Sequence, residues 1–587
     1  MRQFFKFFSA SCLGTIVGSI LLTGLIFLIG ARMVSSMEKT ASITPNSVLE
    51  LTFEDVVPEK TNNVEDTPID LSDKKYIGLY DYDKMIRHAA EDSRIKGILL
   101  RPELGSLPMS EIMIIRRALD TFRASGKFIY GYSKFLTQSN YYLAAAADSV
   151  FLNPVGMMEF RGMAVDITYF KKMLDNLDIE VDVFYAGQFK SATEPFRMTQ
   201  MSDANRIQLR AYIEDVFNQM LTDIGKDRGL DPAALRDMAE TWKSFDPETA
   251  VSLGLLDGLI YEDELKSKLR ERTGLEEKDD LNLVDAQDYF REVGGKFDLS
   301  GKDKIALVFL EGEITVGDES GGVITDDYYQ KILEKIRKDD KIKAVVLRVN
   351  SPGGSVLSAE NILREIRNIQ DAGKPVVVSM GRYAASGGYY ISCYADSIFA
   401  QPATLTGSIG VFSMMPNLGK FLDNKIGITF DTVRTSKAAT YLTGVYPLGE
   451  DERALMQKLT DDIYADFIGK VAEGRKLPLA DVAELAQGRI WTGRKALELG
   501  LVDQLGYTDD ALACASRLAK LDGYRVDEYP KMKDPIQRLI AKITGEESAT
   551  APMVKEHLGA MYPYYKQLKT LHRLEGAQAR LPFVLSE

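Results

Sequence analysis

Residues 375–402 read PVVVSMGRYAASGGYYISCYADSIFAQP and combine a strand-like run, a small-residue turn and a helix-compatible run. The three valines of residues 375–379, PVVVS, predict a strand, and the glycines around Ser386 predict a sharp corner after it. Residues 389–396 favour a helix beyond the corner. A serine at such a corner has backbone N–H groups beside it and the positive end of a helix near it, as the nucleophile of an acyl-transfer enzyme requires. A plain glycine turn with a solvated serine explains the stretch equally well when it is taken alone.

A second copy of the pattern lies earlier in the chain. Residues 141–154, YYLAAAADSVFLNP, match residues 389–402, and residues 250–257, AVSLGLLD, match residues 496–503, ALELGLVD. Because the offset stays near 247 residues, the sequence predicts an internal duplication of about 250 residues. Alternating strands and helices in each copy predict an α/β fold with largely parallel strands.

The first residues of the chain predict a membrane anchor. Residues 12–30, CLGTIVGSILLTGLIFLIG, are uncharged and nearly all apolar, and a helix of this length spans a bilayer. Arg2 and Lys6 precede the segment, so the N-terminus is expected in the cytoplasm. The absence of a small-x-small cleavage site after residue 30 favours a retained anchor over a removed signal peptide. We therefore expect an anchor over 1–37, repeats over 45–295 and 300–535 beyond the membrane, and a tail of unassigned role over 536–587.

Composition excludes several classes of function. The net charge of −13 argues against a nucleic-acid partner, whose phosphates would be repelled. His88, His557 and His572 lie outside every motif, so a Ser-His-Asp triad is not expected. The three cysteines show no metal-ligand spacing and no disulfide framework, and Cys393 and Cys514 are expected in the core. No metal or organic cofactor is expected.

The two copies differ where a site would be. Ser386 corresponds to Gln138, and the NSPGGS loop of residues 350–355 corresponds to residues 102–106, PELGS. These differences indicate that one copy has an active site and the other has a degenerate one. The alternative is sequence drift in two surface turns.

The NSPGGS loop follows a strand over 344–349 and precedes a helix with Leu357, Ile362, Leu363 and Ile366 on its apolar side. Its two glycines allow the backbone N–H groups to turn outward and a substrate carbonyl to approach closely. An N–H of Gly353 or Gly354, together with that of Gly387, would then form an oxyanion hole. The alternative is a Pro-Gly turn without a ligand. We expect a peptide substrate to bind extended, pairing with a strand edge near this loop.

Ser386 needs a base, and in the absence of a suitable histidine a lysine is favoured. Lysine acts as a base only when it is neutral, which requires burial or nearby positive charge to lower its pKa. Lys190 lies between Phe189 and Phe196 in AGQFKSATEPF, residues 186–196, and could be desolvated there. Most lysines are solvated surface charges, so this motif is weak by itself.

Three motifs in combination resemble the long, duplicated bacterial form of the signal peptide peptidase A family, peptidase family S49: SPGGS at 351–355, AASGGY at 384–389 and TGSIG at 406–410. The similarity covers about residues 45–530. The resemblance implies a ClpP/crotonase-like spiral of ββα units and a Ser/Lys dyad of Ser386 and Lys190. It further implies a homotetramer at the outer, periplasmic face of the bacterial inner membrane that degrades hydrophobic remnant signal peptides.

Some alternatives remain open at this point. Residues 434–440, RTSKAAT, align with GQFKSAT of residues 187–193, so Lys437 is either a relic or the working base. A catalytically inactive membrane scaffold, a broader membrane-protein quality-control protease and an acyl-CoA-handling crotonase-like enzyme are the rival functions. The presence of both Ser386 and Lys190 argues against the scaffold, and the serine nucleophile argues against the crotonase-like enzyme.

Overall fold

The computed structural model describes residues 14, 18, 43–53, 57–62, 76–102, 107–294, 301–318, 322–531 and 577–581. The anchor predicted over residues 12–30 therefore lies outside the described residues, apart from two glycines. The described parts of the chain contain no helix that is both long and apolar enough to span a bilayer.

The described strands form three sheets. In chain order they are β1 (Ser47–Thr52), β2 (Ile95–Arg101), β3 (Phe128–Leu136), β4 (Ser149–Met158), β5 (Glu180–Ala186), β6 (Gly258–Leu259) and β7 (Leu283–Asp285) in the first copy. The second copy contributes β8 (Asp303–Glu311), β9 (Glu313–Thr315), β10 (Val323–Thr325), β11 (Ile342–Ser351), β12 (Gly353–Ser355), β13 (Val376–Ala385), β14 (Ser397–Ala400), β15 (Leu405–Gly407), β16 (Val411–Asn417), β17 (Ile490–Thr492), β18 (Gln504–Leu505) and β19 (Tyr524–Tyr529), and β20 (Ala577–Arg580) follows.

The helices pack against these sheets. They span Leu79–Glu91, Met109–Ala124, Gln138–Ala144, Lys171–Asn176, Glu194–Arg197, Asp203–Arg228, Pro232–Thr241, Pro247–Ser252, Glu262–Thr273 and Ala286–Val293 in the first copy, and Asp326–Lys338, Val356–Asp371, Gly387–Tyr390, Gly419–Phe421, Glu450–Arg475, Leu479–Leu485, Gly493–Glu498 and Thr508–Leu518 in the second.

Each copy builds one sheet of mainly parallel strands. The first has the order β6-β4-β3-β2-β1-β7, and the second has the order β17-β15-β13-β11-β8-β19, with β14 beside β13. Their central strands are buried on both faces, as expected where helices cover a parallel sheet. The third sheet, β10-β9-β12-β20-β16-β5, mixes strands of both copies.

The duplication extends to single hydrogen bonds. Tyr141 Oη donates to the carbonyl oxygen of Leu255 at 3.0 Å, and the equivalent Tyr389 Oη donates to that of Leu501 at 2.8 Å. All four residues come from the matching motifs in the sequence. The predicted α/β class and the tandem duplication are therefore both confirmed.

Two helices can be compared with what the spacing of their apolar residues predicts. In residues 110–125 the apolar residues recur at helical spacing, which predicts a helix. The observed helix, Met109–Ala124, buries these residues, which are Ile112, Ile114, Ile115, Ala118 and Phe122. The helix after the glycine loop, Val356–Asp371, buries Ile362, Leu363 and Ile366, but Leu357 is exposed. The assignment of Leu357 to the apolar face is wrong, because 3.6 residues per turn place Leu357 on the opposite side of the helix from the buried Ile366.

The contacts that join the two copies include a strand pairing and a buried ion pair. Strand β5 of the first copy pairs antiparallel with β16 of the second, from Val411 opposite Ala186 to Asn417 opposite Glu180. In the interior, the Glu59 carboxylate accepts two hydrogen bonds from Arg348, at 2.9 and 3.0 Å. The lysine-bearing segment that follows β5 is thereby carried onto the second copy.

Candidate active site

Ser386 lies where β13 ends, in an unusual backbone conformation. Its φ of +56° is rare for a residue with a side chain, and such strain persists only where the surroundings enforce it. The Ser386 N–H donates to the carbonyl oxygen of Gly407 at 2.8 Å, which fixes the corner. The side chain is fully buried.

The helix after this serine is shorter than the sequence suggests. Helical structure spans Gly387–Tyr390 alone, and turns follow it. The prediction of a helix over residues 389–396 is wrong. Residues 391–395 are buried or nearly so, and Ser392 Oγ donates back to the carbonyl oxygen of Gly388 at 2.7 Å. Burial from several sides, rather than one amphipathic face, explains the apolar run, and a single turn supplies little helix dipole to Ser386.

The structure brings Lys190 to Ser386. Lys190 Nζ lies 2.8 Å from Ser386 Oγ, and it also lies 3.1 Å from both Oγ and the carbonyl oxygen of Ser408. All three neighbours are uncharged oxygens. Burial lowers the pKa of Lys190 well below its usual value, because the charged ammonium is poorly solvated there. A neutral amine has two N–H donors for Ser408 and one lone pair for the hydroxyl of Ser386.

The lysine segment is held by the second copy. The Phe189 N–H donates to the carbonyl oxygen of Gln487 at 2.8 Å. Gly488 packs so closely that a Cβ there would lie 2.6 Å from Lys190 Cβ. Gln208 links both copies, because its Nε2 donates to the Phe189 carbonyl oxygen at 3.0 Å and its Oε1 accepts from the Ile490 N–H at 3.2 Å. The position of Lys190 thus depends on contacts between the two halves.

The three glycines predicted to bind an oxyanion converge beside the serine. Gly353 has φ +97° and Gly354 has φ +155°, conformations that side chains rarely allow. A Cβ on Gly353 would lie 2.7 Å from the Gly387 nitrogen, and one on Gly387 would lie 3.1 Å from the Gly354 nitrogen. The Gly353 N–H donates to Ser351 Oγ at 3.2 Å, which favours Gly354 and Gly387 as the donors to a substrate.

Among the residues that the structure describes, Gln138 of the first copy and Lys437 of the second copy occupy the positions equivalent to Ser386 and Lys190. The half-buried Gln138 replaces the serine, and its Oε1 accepts hydrogen bonds from the N–H groups of Arg161 and Gly162 at 3.0 and 2.8 Å. Lys437 begins a 3₁₀ turn, Lys437–Thr440, as Lys190 precedes one, but it is exposed to solvent. His88, the one histidine among the described residues, packs near Tyr289 in the first copy, with ring centroids 6.4 Å apart.

Sequence reasoning did not identify Ser408 as a contact of the lysine. Its motif, TGSIG, was informative only through the resemblance. Ser408 has φ +50°, and its N–H donates to the carbonyl oxygen of Arg489 at 2.7 Å, so the turn directs two oxygens of one residue at the amine. The prediction that Cys393 and Cys514 are buried is confirmed.

A buried serine hydroxyl in contact with a buried lysine amine, beside a glycine loop on an α/β scaffold, is an arrangement of the serine hydrolase class. Residues 121–276 and 368–522 match the sequence profile of Peptidase family S49. The chain is 34% identical over 453 residues to Protease 4 of Haemophilus influenzae, a match that covers 75% of this chain and 73% of that protein.

Two further relatives agree. Protease 4 of Salmonella typhi is 35% identical over 494 residues, covering 83% of this chain and 78% of the relative. The chloroplastic serine protease SPPA of Arabidopsis thaliana is 30% identical over 507 residues, covering 85% and 73%. The chain belongs to peptidase family S49, and it is a serine peptidase related to the SppA proteases.

Proposed function

We propose that this protein is a membrane-anchored serine endopeptidase that uses a dyad of Ser386 and Lys190 to degrade hydrophobic remnant signal peptides. The observation that carries the proposal is the 2.8 Å separation of Lys190 Nζ and Ser386 Oγ, both fully buried. A lysine without a catalytic task is rarely buried with uncharged oxygens as its neighbours, as Lys190 is among the described residues.

Catalysis begins when neutral Lys190 accepts the hydroxyl proton of Ser386, and Oγ attacks the carbonyl carbon of the substrate. The N–H groups of Gly354 and Gly387 stabilise the oxyanion of the tetrahedral intermediate. The C–N bond then breaks, and Lys190 passes its proton to the leaving amine. Water, deprotonated by Lys190, then attacks the acyl ester. As the bond to Ser386 Oγ breaks, Lys190 gives this proton to Oγ, which leaves a carboxylic acid product and free Ser386. The two hydrogen bonds to Ser408 keep the amine oriented throughout.

Substitution of the two residues tests the dyad. Ser386→Ala and Lys190→Met should each reduce the cleavage of a hydrophobic peptide by on the order of a thousandfold or more, since dyad members act as a unit. Circular dichroism and the thermal transition should show that both variants are folded. Wild-type cleavage by either variant would remove that residue from the mechanism.

Lys437→Met provides the matched control. It removes the lysine at the equivalent position of the second copy, which is exposed in the structure. We expect cleavage at the wild-type rate. Loss of activity in Lys437→Met with retained activity in Lys190→Met would assign the base to Lys437.

The cellular part of the proposal places residues 1–37 in the bacterial inner membrane and both repeats, 45–295 and 300–535, on the periplasmic side. The uncharged residues 12–30 support the anchor, and Arg2 and Lys6 before them support the orientation. Protease accessibility of the repeats in spheroplasts, compared with inverted membrane vesicles, tests this orientation. Digestion in inverted vesicles alone would contradict it.

We also propose a homotetramer. Exposed large apolar side chains are concentrated in residues 426–442, and this concentration supports self-association, since exposed apolar residues grouped together commonly mark protein interfaces. They are Ile426, Ile428, Phe430, Val433 and Leu442. Light scattering of the detergent-solubilised protein should give four copies. Val433→Asp should shift the population toward smaller species, and a monomeric wild type would refute the tetramer.

A further inference from the structure

A segment near the end of the chain occupies the edge where a peptide substrate is expected. Strand β20 pairs antiparallel with β12, with Gly354 opposite Ala579 and Gly353 opposite Arg580. Its other edge pairs antiparallel with β16, with Phe412 opposite Gln578. A short chain segment is thus bound extended between two strands, in the β-strand addition mode of peptide recognition.

The register of β20 places one carbonyl group over the oxyanion glycines. The carbonyl oxygen of Ala579 lies 2.0 Å from the position of a Cβ on Gly353 and 3.1 Å from that of a Cβ on Gly387. The next residues continue along the loop, since the Leu581 N–H donates to the carbonyl oxygen of Pro352 at 2.9 Å. The carbonyl that faces oxyanion donors is the one that a nucleophile attacks. In this register the bond at the site is Ala579–Arg580.

The side chain after that bond has a charged partner. Arg580 Nη1 donates to Glu313 Oε1 at 2.8 Å, and the two side chains are only 18% and 11% exposed. Glu313 belongs to β9, which pairs with β12 through Ile314 and Gly354. The carboxylate is therefore fixed to the same sheet as the cleft, and a charge-assisted hydrogen bond with little solvent competition discriminates strongly between side chains.

The side chains before the bond are small. Ala579 is fully buried and Ala577 is half-buried, and successive side chains of a strand alternate between its two faces. The cleft therefore accommodates small side chains at the first and third positions before the bond.

We propose that β20 marks the substrate register of the cleft and that Glu313 is a specificity-determining residue that selects a basic side chain at the first position after the cleaved bond. This inference rests on the proposed peptidase function and refines its substrate class.

Two matched peptides test the inference. One contains Ala-Gln-Ala-Arg-Leu, and the other contains Ala-Gln-Ala-Glu-Leu, in the same hydrophobic flanks. For the wild type, kcat/KM should be at least about tenfold higher for the arginine peptide, as for other charge-assisted contacts, and mass spectrometry should locate the cut after the second alanine. Competition by β20 affects both peptides alike, so it cancels in the ratio.

Variants identify the residue responsible. Glu313→Gln should remove most of the preference, and Glu313→Lys should reverse it in favour of the glutamate peptide. Glu334→Gln, on the exposed face of the helix Asp326–Lys338, is the control and should keep the wild-type ratio.

The outcomes distinguish a failure of the Glu313 inference from a failure of the proposed peptidase function. Equal cleavage of both peptides by the wild type, an unchanged ratio in Glu313→Gln, or a cut at another bond would each overturn the inference and leave the peptidase function standing. Failure of the wild type to cleave any hydrophobic peptide, these two included, would overturn the proposed function and the inference with it.

Discussion

Replacing Glu59 by leucine should destabilise the protein, because Arg348 would remain charged in the interior without its carboxylate. The two side chains are 4% and 1% exposed and share two hydrogen bonds, of 2.9 and 3.0 Å. Removing one partner of a buried ion pair typically costs about 3–5 kcal/mol. Arg348 Nη1 keeps its bonds to the Met380 carbonyl oxygen at 2.8 Å and to Ser379 Oγ at 3.1 Å, so we expect the lower end, about 3 kcal/mol.

Urea denaturation in detergent, followed by tryptophan fluorescence, measures the effect. Trp242 and Trp491 report on the first and second copies respectively. Glu180→Leu removes another carboxylate that bonds across the two copies, to Lys420, but at the surface, and it should leave the midpoint nearly unchanged. The double variant Glu59→Leu with Arg348→Met should recover most of the lost stability, because it leaves no unpaired charge. A loss below about 1 kcal/mol for Glu59→Leu would refute the reasoning.

Three further predictions follow from the site. Gly354→Ala should lower peptide cleavage by on the order of 100-fold or more, since its Cβ would lie 1.9 Å from the Ile314 carbonyl oxygen. The control is Gly523→Ala, whose Cβ would have nothing within 4 Å and which should cleave at the wild-type rate. An active Gly354→Ala enzyme would remove this glycine from the oxyanion hole. Deleting residues 577–587 should raise kcat/KM for a short peptide by on the order of tenfold, because β20 no longer occupies the cleft; an unchanged or lower value would contradict that occupancy. Lys190→Met should raise the urea midpoint near neutral pH. Burial lowers the pKa of Lys190 in the folded protein, so burying this side chain costs stability wherever the unfolded chain carries it protonated. This cost is complete below the lowered pKa and absent above the usual lysine pKa, so the stability advantage of Lys190→Met should shrink as the pH rises. A difference in midpoint that does not change with pH would contradict the assignment.

The duplication could be read from the sequence because it is a local pattern repeated at a fixed offset. The motifs that match between the copies are the ones whose side chains make equivalent bonds, as Tyr141 and Tyr389 do. The strands β11 and β13 and the helices Met109–Ala124 and Val356–Asp371 could likewise be predicted from local apolar runs and helical spacing. The helix after Ser386 did not, because a run buried from several sides has no helical period to detect.

The contacts that depend on distant segments could not be derived from local chemistry. Lys190 in its sequence context is an ordinary lysine beside two aromatic residues, and its pairing with Ser386 came from the resemblance. Glu59 and Arg348 lie 289 residues apart, and nothing near either one indicates the other. Ser408 contributes through a backbone conformation that its identity does not reveal.

Strand β20 is the clearest case. Its sequence, Ala577-Gln-Ala-Arg580, has no β-branched or aromatic residue, and alanine is its only apolar residue. It becomes a strand because β12 and β16 offer it two edges, and pairing of this kind is set by the partner strands rather than by propensity. The sequence predicted the edge near the glycine loop but not the segment that occupies it.

The central claim is that an amine from the first copy activates a hydroxyl from the second. The most direct measurement is the rate at which a fluorophosphonate probe labels Ser386 as a function of pH, in the wild type and in Lys190→Met. The account predicts a wild-type rate that rises with pH and levels off well below the usual lysine pKa, and labelling that is nearly abolished at every pH in the variant. Equal labelling of Lys190→Met and wild type across the pH range would contradict it.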